Sequence, residues 1–150
     1  MNVESTGVES ALLATNIIML RRFLAPDALW GDLAISAVTL AELSAGVHLV
    51  PGDSPTAIRE RAKRAEMLAR TEHEFDAIPF GTEAARMYGR MSAAVRASGR
   101  QPRTRVADLM IAATAASARM PLFTMNPHDF VGLDDLLTVL PVPRPDSSRT

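Results

Sequence analysis

The stretch Arg103-Thr-Arg-Val-Ala-Asp-Leu-Met-Ile-Ala-Ala-Thr-Ala-Ala-Ser-Ala118 decides how the rest of the chain can fold. Its apolar side chains, among them Val106, Leu109 and Ala113, recur at helical spacing, and small residues fill the flanking faces. The pattern therefore predicts a buried helix. One acid, Asp108, stands in its first turns. It either faces the positive end of the helix dipole or belongs to a site, because a carboxylate in apolar surroundings needs a compensating partner.

Short apolar runs of strand length alternate with helical patterns along the chain. The predicted strands are Ala11–Ala14, Leu33–Ser36, Phe75–Phe80, Leu122–Thr124 and Leu136–Leu140. The predicted helices run from Ile17 to before Pro26, from a cap at Ser36 or Thr39 to about Val50, from Thr56 to Glu74, and from Thr82 to Ser98 with Gly99 as C-cap, followed by the helix of Asp108. This alternation predicts an α/β fold, a three-layer α/β/α sandwich with a central parallel sheet of four to five strands.

Length and composition limit the classes of protein to consider. The chain has 150 residues, which suits a single domain at residues 1–140, with a Pro- and Ser-rich tail at residues 141–150 that we expect to be mobile. No apolar run approaches the roughly 20 residues that span a bilayer, and an acid stands where a secretory signal would carry basic residues. The absence of cysteine excludes disulfides and thiol chemistry and makes a cytoplasmic location the default.

The residues expected beyond the carboxyl ends of the strands, where ligands bind in sheets of this kind, carry oxygen atoms. They are Thr15, Asn16, Glu42, Asp108, Thr124, Asn126 and Asp129. There is no glycine-rich phosphate loop, and the set lacks the histidine or cysteine of thiol and serine–histidine mechanisms. Hard oxygen ligands suit Mg²⁺ or Mn²⁺, and such a cation would also relieve the repulsion between clustered carboxylates.

Several of these residues have simpler interpretations. Glu42 follows Thr39 at the spacing of a capping box, in which the glutamate turns back to a backbone N–H, and Asp129 could cap the turn before Phe130. The arginines that alternate with glutamates between Thr56 and Glu74 favour a solvated, salt-bridged face over a phosphate track. Arginines just before Asp108 have no acid between them and could hold a nucleic-acid backbone. These are Arg100, Arg103 and Arg105, with Arg96 ahead of them.

Four segments, taken in order, resemble the motifs of PIN-domain ribonucleases of the VapC toxin group, from bacterial VapBC toxin–antitoxin modules. The segments are Leu12-Leu-Ala-Thr-Asn16, Ser36-Ala-Val-Thr-Leu-Ala-Glu-Leu43, Asp108-Leu-Met-Ile-Ala-Ala-Thr-Ala115 and Pro121-Leu-Phe-Thr-Met-Asn-Pro-His-Asp-Phe130. Each motif alone is weak, but four in order at suitable spacing are specific. The resemblance covers nearly the whole chain and implies a PIN-like fold.

The resemblance also implies a Mg²⁺-dependent endoribonuclease site, with one departure. Glu42 and Asp108 would be metal ligands, Asn126 or Asp129 would fill the fourth position, and three residues would orient ligands or water behind them: Thr15, Asn16 and Thr124. Where the family carries its first metal-binding aspartate, this chain has Ala14, whose methyl group cannot coordinate a cation. The chain is either a natural variant or one altered to silence a nuclease, and we expect impaired RNA cleavage.

Two hypotheses follow. The first is the toxin of a type II toxin–antitoxin system, a Mg²⁺-dependent endoribonuclease impaired by Ala14 and neutralised by a VapB-type antitoxin. The second is a non-catalytic PIN-fold protein that binds an antitoxin or RNA. By resemblance we also expect a homodimer, with apolar side chains such as Leu20, Phe23 and Leu24 facing partners, and no membrane association.

Overall fold

A computed structural model describes residues 9–99 and 106–145 and has a parallel sheet flanked by helices. The strands are β1 (Ser10–Leu13), β2 (Asp32–Ser36), β3 (Ala77–Ile78), β4 (Leu122–Thr124) and β5 (Val139–Pro141). The α-helices are α1 (Thr15–Leu20), α2 (Ala37–His48), α3 (Pro55–Glu74), α4 (Thr82–Ala97) and α5 (Val106–Ser117), with 3-10 turns at Arg21–Phe23 and Pro127–Phe130. No helix in the described ranges is long and apolar enough to cross a membrane.

The sheet has the strand order β3-β2-β1-β4-β5, and all its pairs are parallel. Alternate side chains of the central strand β1 enter two separate hydrophobic clusters, as the period of a strand requires. Leu12 packs with residues of α4 and α5, whereas Ala11 and Leu13 pack with residues of α1, α2 and the end of α3. The predicted three-layer α/β/α sandwich is thereby confirmed, with one core on each face of the sheet.

Helix α5 confirms the prediction of a helix that is buried on nearly all sides. Its buried residues are Leu109, Ile111, Ala112, Ala113, Thr114 and Ala115. The hydroxyl of Thr114 donates to the Met110 carbonyl at 2.8 Å, which satisfies the buried polar atom. Because many of its side chains are small, α5 packs closely against both the sheet and α4. This packing positions the helix that carries Asp108.

Two strands are shorter than the sequence predicts, and a proline accounts for only one of the differences. Phe75–Phe80 was predicted as a strand, but β3 contains only Ala77 and Ile78, because Pro79 has no N–H for the ladder. The strand lies at the edge of the sheet, as the proline indicated. The last strand begins at Val139 rather than Leu136, because the Leu136 and Leu137 N–H groups donate to the Leu133 carbonyl in a turn. It includes Pro141, which an edge strand tolerates.

The chain remains packed on the domain beyond the predicted boundary at residue 140. Val142 is 3% exposed, and its N–H donates to the Thr124 carbonyl at 2.8 Å. The first residues of the predicted tail therefore continue along the end of β4. Arg100, Arg103 and Arg105, predicted to contact RNA, lie outside the described residues, as does the end of the tail.

Candidate functional site

The strand order reverses between β1 and β4, so the crevice expected for ligands opens beyond their carboxyl ends. Asn16, at the start of α1, links the two strand ends. Its Oδ1 accepts the Met125 N–H at 3.2 Å, and its Nδ2 donates to Thr124 Oγ1 at 3.4 Å. The predicted convergence of the segments after β1 and β4 is therefore observed, and Asn16 and Thr124 are in direct contact.

Glu42 is held at the same edge of the sheet by a hydroxyl group. Thr15 Oγ1 donates to Glu42 Oε1 at 2.6 Å and lies 3.1 Å from Thr39 Oγ1. A short hydrogen bond to a carboxylate fixes its orientation and leaves the second carboxylate oxygen for another ligand. The three side chains come from the start of α1 and from α2, so the loop after β1 and the helix after β2 are joined here.

The capping-box interpretation of Glu42 is wrong. Helix α2 begins at Ala37, and its N-cap is Ser36, whose buried hydroxyl accepts the Val38 N–H at 3.0 Å. Thr39 thus lies inside the helix rather than at its cap, and its hydroxyl contacts Thr15. Since the cap is supplied three residues earlier, the Glu42 side chain is available for the contact with Thr15.

Ala14 occupies the turn between β1 and α1. It is 6% exposed, belongs to the cluster on the α4 and α5 side of the sheet, and is the N-cap residue of α1 without any side-chain cap. A carboxylate at this position would lie on the same side of the sheet as α5, the helix that carries Asp108. The methyl group supplies neither a helix cap nor an oxygen ligand.

The described residues fit a divalent cation only in part. Asp108 is half-buried in the first turn of α5, and Asp129 is half-buried in the 3-10 turn after β4. Helices α2 and α5 contact each other, which brings the helix of Glu42 against that of Asp108. Nevertheless, within residues 9–99 and 106–145 no three His, Cys, Asp or Glu side chains are grouped so that they could hold a metal ion. With alanine at position 14, the carboxylate set is incomplete.

One residue at this edge was not identified from the sequence. Arg144 Nη2 donates to Asn126 Oδ1 at 2.7 Å, and the Asn126 N–H donates to Thr124 Oγ1 at 3.0 Å. Arg144 was assigned to the tail because prolines surround it. The available signal was the apolar Val142 between two prolines, since a residue that alternates with exposed positions after a strand indicates a continued extended segment.

Comparisons with known proteins agree with this geometry. Residues 13–135 match the family described as PIN domain. The chain is 38% identical over 109 residues to ribonuclease VapC5 of Mycobacterium tuberculosis, a match that covers 71% of this chain and 73% of that protein. It also resembles the crystal structure of VapBC-5 from the same organism, a member of the VapBC family of toxin–antitoxin systems. The TM-score is 0.68 and the identity 32%, covering 89% of this chain and 98% of that one.

A second solved structure, FitAcB from Neisseria gonorrhoeae, matches with a TM-score of 0.67 and 26% identity over 87% of this chain and 96% of that one. The family match spans residues 13–135, a range that includes the polar residues at the carboxyl edge of the sheet. The chain therefore belongs to the PIN-domain family, in the group of the VapC proteins.

Proposed function

We propose that the chain is the toxin component of a type II toxin–antitoxin pair, built as an endoribonuclease whose cleavage site is impaired by Ala14. The observation that carries this proposal is the 2.6 Å hydrogen bond from Thr15 to Glu42, beside a buried Ala14. A hydroxyl group that orients a carboxylate at the carboxyl edge of a parallel sheet supports a catalytic site rather than a structural contact. The similarity to ribonuclease VapC5 supports RNA as the substrate.

Within this proposal each predicted residue has a role. Glu42 and Asp108 are the remaining carboxylates of a Mg²⁺ or Mn²⁺ site, and Asp129 or Asn126 is the further ligand. Thr15 orients Glu42, whereas Asn16 and Thr124 hold the ends of β1 and β4 in register. The approach of Glu42 to Asp108 remains a prediction, as do RNA contacts by Arg100, Arg103 and Arg105.

The second candidate is a non-catalytic PIN-fold protein that binds an antitoxin or RNA without cleavage. The incomplete carboxylate set in the described part of the chain favours it. Both candidates share the partners: a cognate VapB-type antitoxin, RNA, and a second copy of the chain as a homodimer in the cytoplasm. The similarity to toxin–antitoxin complexes supports the antitoxin.

Cleavage of total RNA by a restored variant distinguishes the two candidates. We expect Ala14→Asp to cleave at least about 10–100-fold faster than the parent chain with Mg²⁺, because weakening even the surroundings of metal ligands has effects of that size. Excess EDTA should abolish the difference. The control is Ala14→Asp combined with Glu42→Gln, which should return to the parental rate. Equal, metal-independent activity in all forms would instead exclude a metal site at Ala14 and Glu42.

A further inference from the structure

Arg144 is connected to the candidate site through a series of hydrogen bonds. It donates to Asn126, whose backbone N–H donates to the Thr124 hydroxyl. The same hydroxyl accepts from Asn16, the residue next to the threonine that holds Glu42. These hydrogen bonds, joined by the peptide bond between Thr15 and Asn16, run along the carboxyl edge of the sheet from the segment after β5 to α2.

The backbone of Arg144 is fixed rather than free. The N–H of the buried Val142, two residues earlier, donates a hydrogen bond of 2.8 Å to the Thr124 carbonyl at the end of β4. Pro143 and Pro145 flank Arg144; proline restricts its own φ and confines the residue before it to extended conformations. The backbone that carries the guanidinium therefore has little conformational freedom left to lose on binding.

The charge of Arg144 has no counter-charge in the part of the chain that the structure describes. Its one hydrogen bond there is to the neutral Asn126, no carboxylate within residues 9–99 and 106–145 pairs with it, and the residue is exposed. A guanidinium carries five N–H donors, so most of the planar fork remains for an anion. This fork binds carboxylate or phosphate in bidentate geometry, and phosphate is the one of the two that an RNA substrate carries.

The same contact bears on the role of Asn126. A divalent cation on Asn126 Oδ1 would lie close to the guanidinium that donates to this atom, and two positive charges at such a distance repel each other. We propose that Arg144 binds a phosphate group of the RNA at the candidate site and that Asn126 is its positioning residue rather than a metal ligand. This inference rests on the proposed function, because RNA is the substrate proposed there.

Binding of RNA without cleavage tests the inference. The probe is a short fluorescein-labelled single-stranded RNA, titrated in EDTA and followed by fluorescence anisotropy over a series of salt concentrations. We expect Arg144→Ala to weaken binding about three- to tenfold and to reduce the slope of log Kd against log salt by about 0.7, the share of one phosphate contact on a single strand. Arg144→Lys keeps the charge and should retain the slope but lose part of the affinity.

The matched control is Arg119→Asn. Arg119 is exposed, precedes β4 at the opposite edge of the sheet, and has a left-handed backbone with φ 59, which asparagine tolerates. This variant removes the same charge and should leave both affinity and slope unchanged. Asn126→Ala should weaken binding less than Arg144→Ala, and the double variant should lose no more than Arg144→Ala alone.

Two results would overturn the inference in different ways. If the parent chain binds the RNA and Arg144→Ala binds it with the same Kd and salt slope, Arg144 has no phosphate contact, while the proposed function stands. If neither the parent chain nor Ala14→Asp binds or cleaves RNA, both the inference and the proposed function fail. Thermal unfolding of each variant separates a loss of binding from a loss of fold.

Discussion

At position 14 the backbone is extended, with φ −69 and ψ 160, and the residue caps the start of α1 with its carbonyl alone. An aspartate here would do two things at once. Its carboxylate could accept an N–H of the first helical turn, as N-cap aspartates do, and it could bind a cation. Because both effects belong to one side chain, a substitution by aspartate alone cannot separate them.

Comparison of Ala14→Asn with Ala14→Asp separates capping from cation binding. Without metal, the asparagine variant should be more stable than the parent by about 1 kcal/mol, since both residues are good caps. The aspartate variant should gain less stability than the asparagine variant, because it places a charge at a position that is only 6% exposed. Mg²⁺ should then raise the melting temperature of Ala14→Asp by more than that of either other form, since a ligand stabilises most the protein that binds it most tightly.

Thermal unfolding of the three proteins, with MgCl₂ and with EDTA, provides the measurement. An equal shift by Mg²⁺ in all three would mean that the cation binds elsewhere. This readout does not depend on RNA cleavage, so it tests the metal role of position 14 even in a protein that never acts as a nuclease.

Sequence patterns predicted that polar residues would meet at the carboxyl edge of the sheet, because their spacing reflects the topology. Thr15, Asn16 and Thr124 each stand where a buried strand ends, and parallel strands bring such positions to one edge. Arg144 was missed because its position depends on how the segment after β5 packs, and local pattern carries little information about such packing. The role of Glu42 could not be chosen from spacing either, since Ser36 and Thr39 both offer a plausible cap.

At the scale of the elements, Gly31 determines how β2 begins. The residue has φ 86, and a Cβ added there would lie 2.2 Å from the Glu9 carbonyl oxygen. That carbonyl accepts the Asp32 N–H at 2.9 Å, which places the first residue of β2 beside the start of β1. The glycine therefore allows two central strands to enter the sheet in register.

Gly31→Ala should accordingly destabilise the protein more than Gly52→Ala. Gly52 has a similar φ of 81 but nothing within 4 Å of the added Cβ, so it carries only the cost of a left-handed alanine, about 1–2 kcal/mol. Gly31→Ala adds a backbone clash to that cost. Urea unfolding of both variants gives the difference, and equal losses of stability would show that the start of β2 moves away without penalty.

Element boundaries were predicted least well where prolines lie in strands. The pattern around Phe75 and Phe80 has the composition of a strand, yet β3 contains only two residues. Phe75 is still the C-cap of α3, with its N–H on the Thr71 carbonyl, and Pro79 has no N–H for the ladder. The type and order of the helices followed from their periodicity. The C-cap of α4 is Ser98 rather than the predicted Gly99, and Gly99 follows it with a left-handed φ of 88. The period of the apolar residues thus determines which elements form and how they are layered, whereas backbone hydrogen bonding determines where each helix and strand ends.

At the scale of the whole molecule, the described surface retains exposed apolar side chains, one of them on the helix that begins at the site. Leu20 and Leu24, which we expected to face partners, pack partly against the core instead. Met19 and Trp30 are each 56% exposed. The Trp30 ring nevertheless packs edge-on against the buried Phe123 ring, with 4.6 Å between the ring centroids. Helix α1 begins at the candidate site, so a partner that covers the site will also contact the exposed side of this helix.

Met19→Asp should therefore weaken the complex with the cognate antitoxin about tenfold, which corresponds to about 1.4 kcal/mol, because it places a charge in an apolar contact. The fold should be retained, since the side chain is already exposed. The control is Leu49→Asp, at a residue that is 74% exposed but follows the far end of α2, which runs away from the site.

Co-expression with the neighbouring gene product, followed by titration and sedimentation, measures both the complex and the expected homodimer. A monomer at micromolar concentration that forms no complex would rule out the toxin–antitoxin assembly, whereas equal effects of the two substitutions would remove only α1 from the interface.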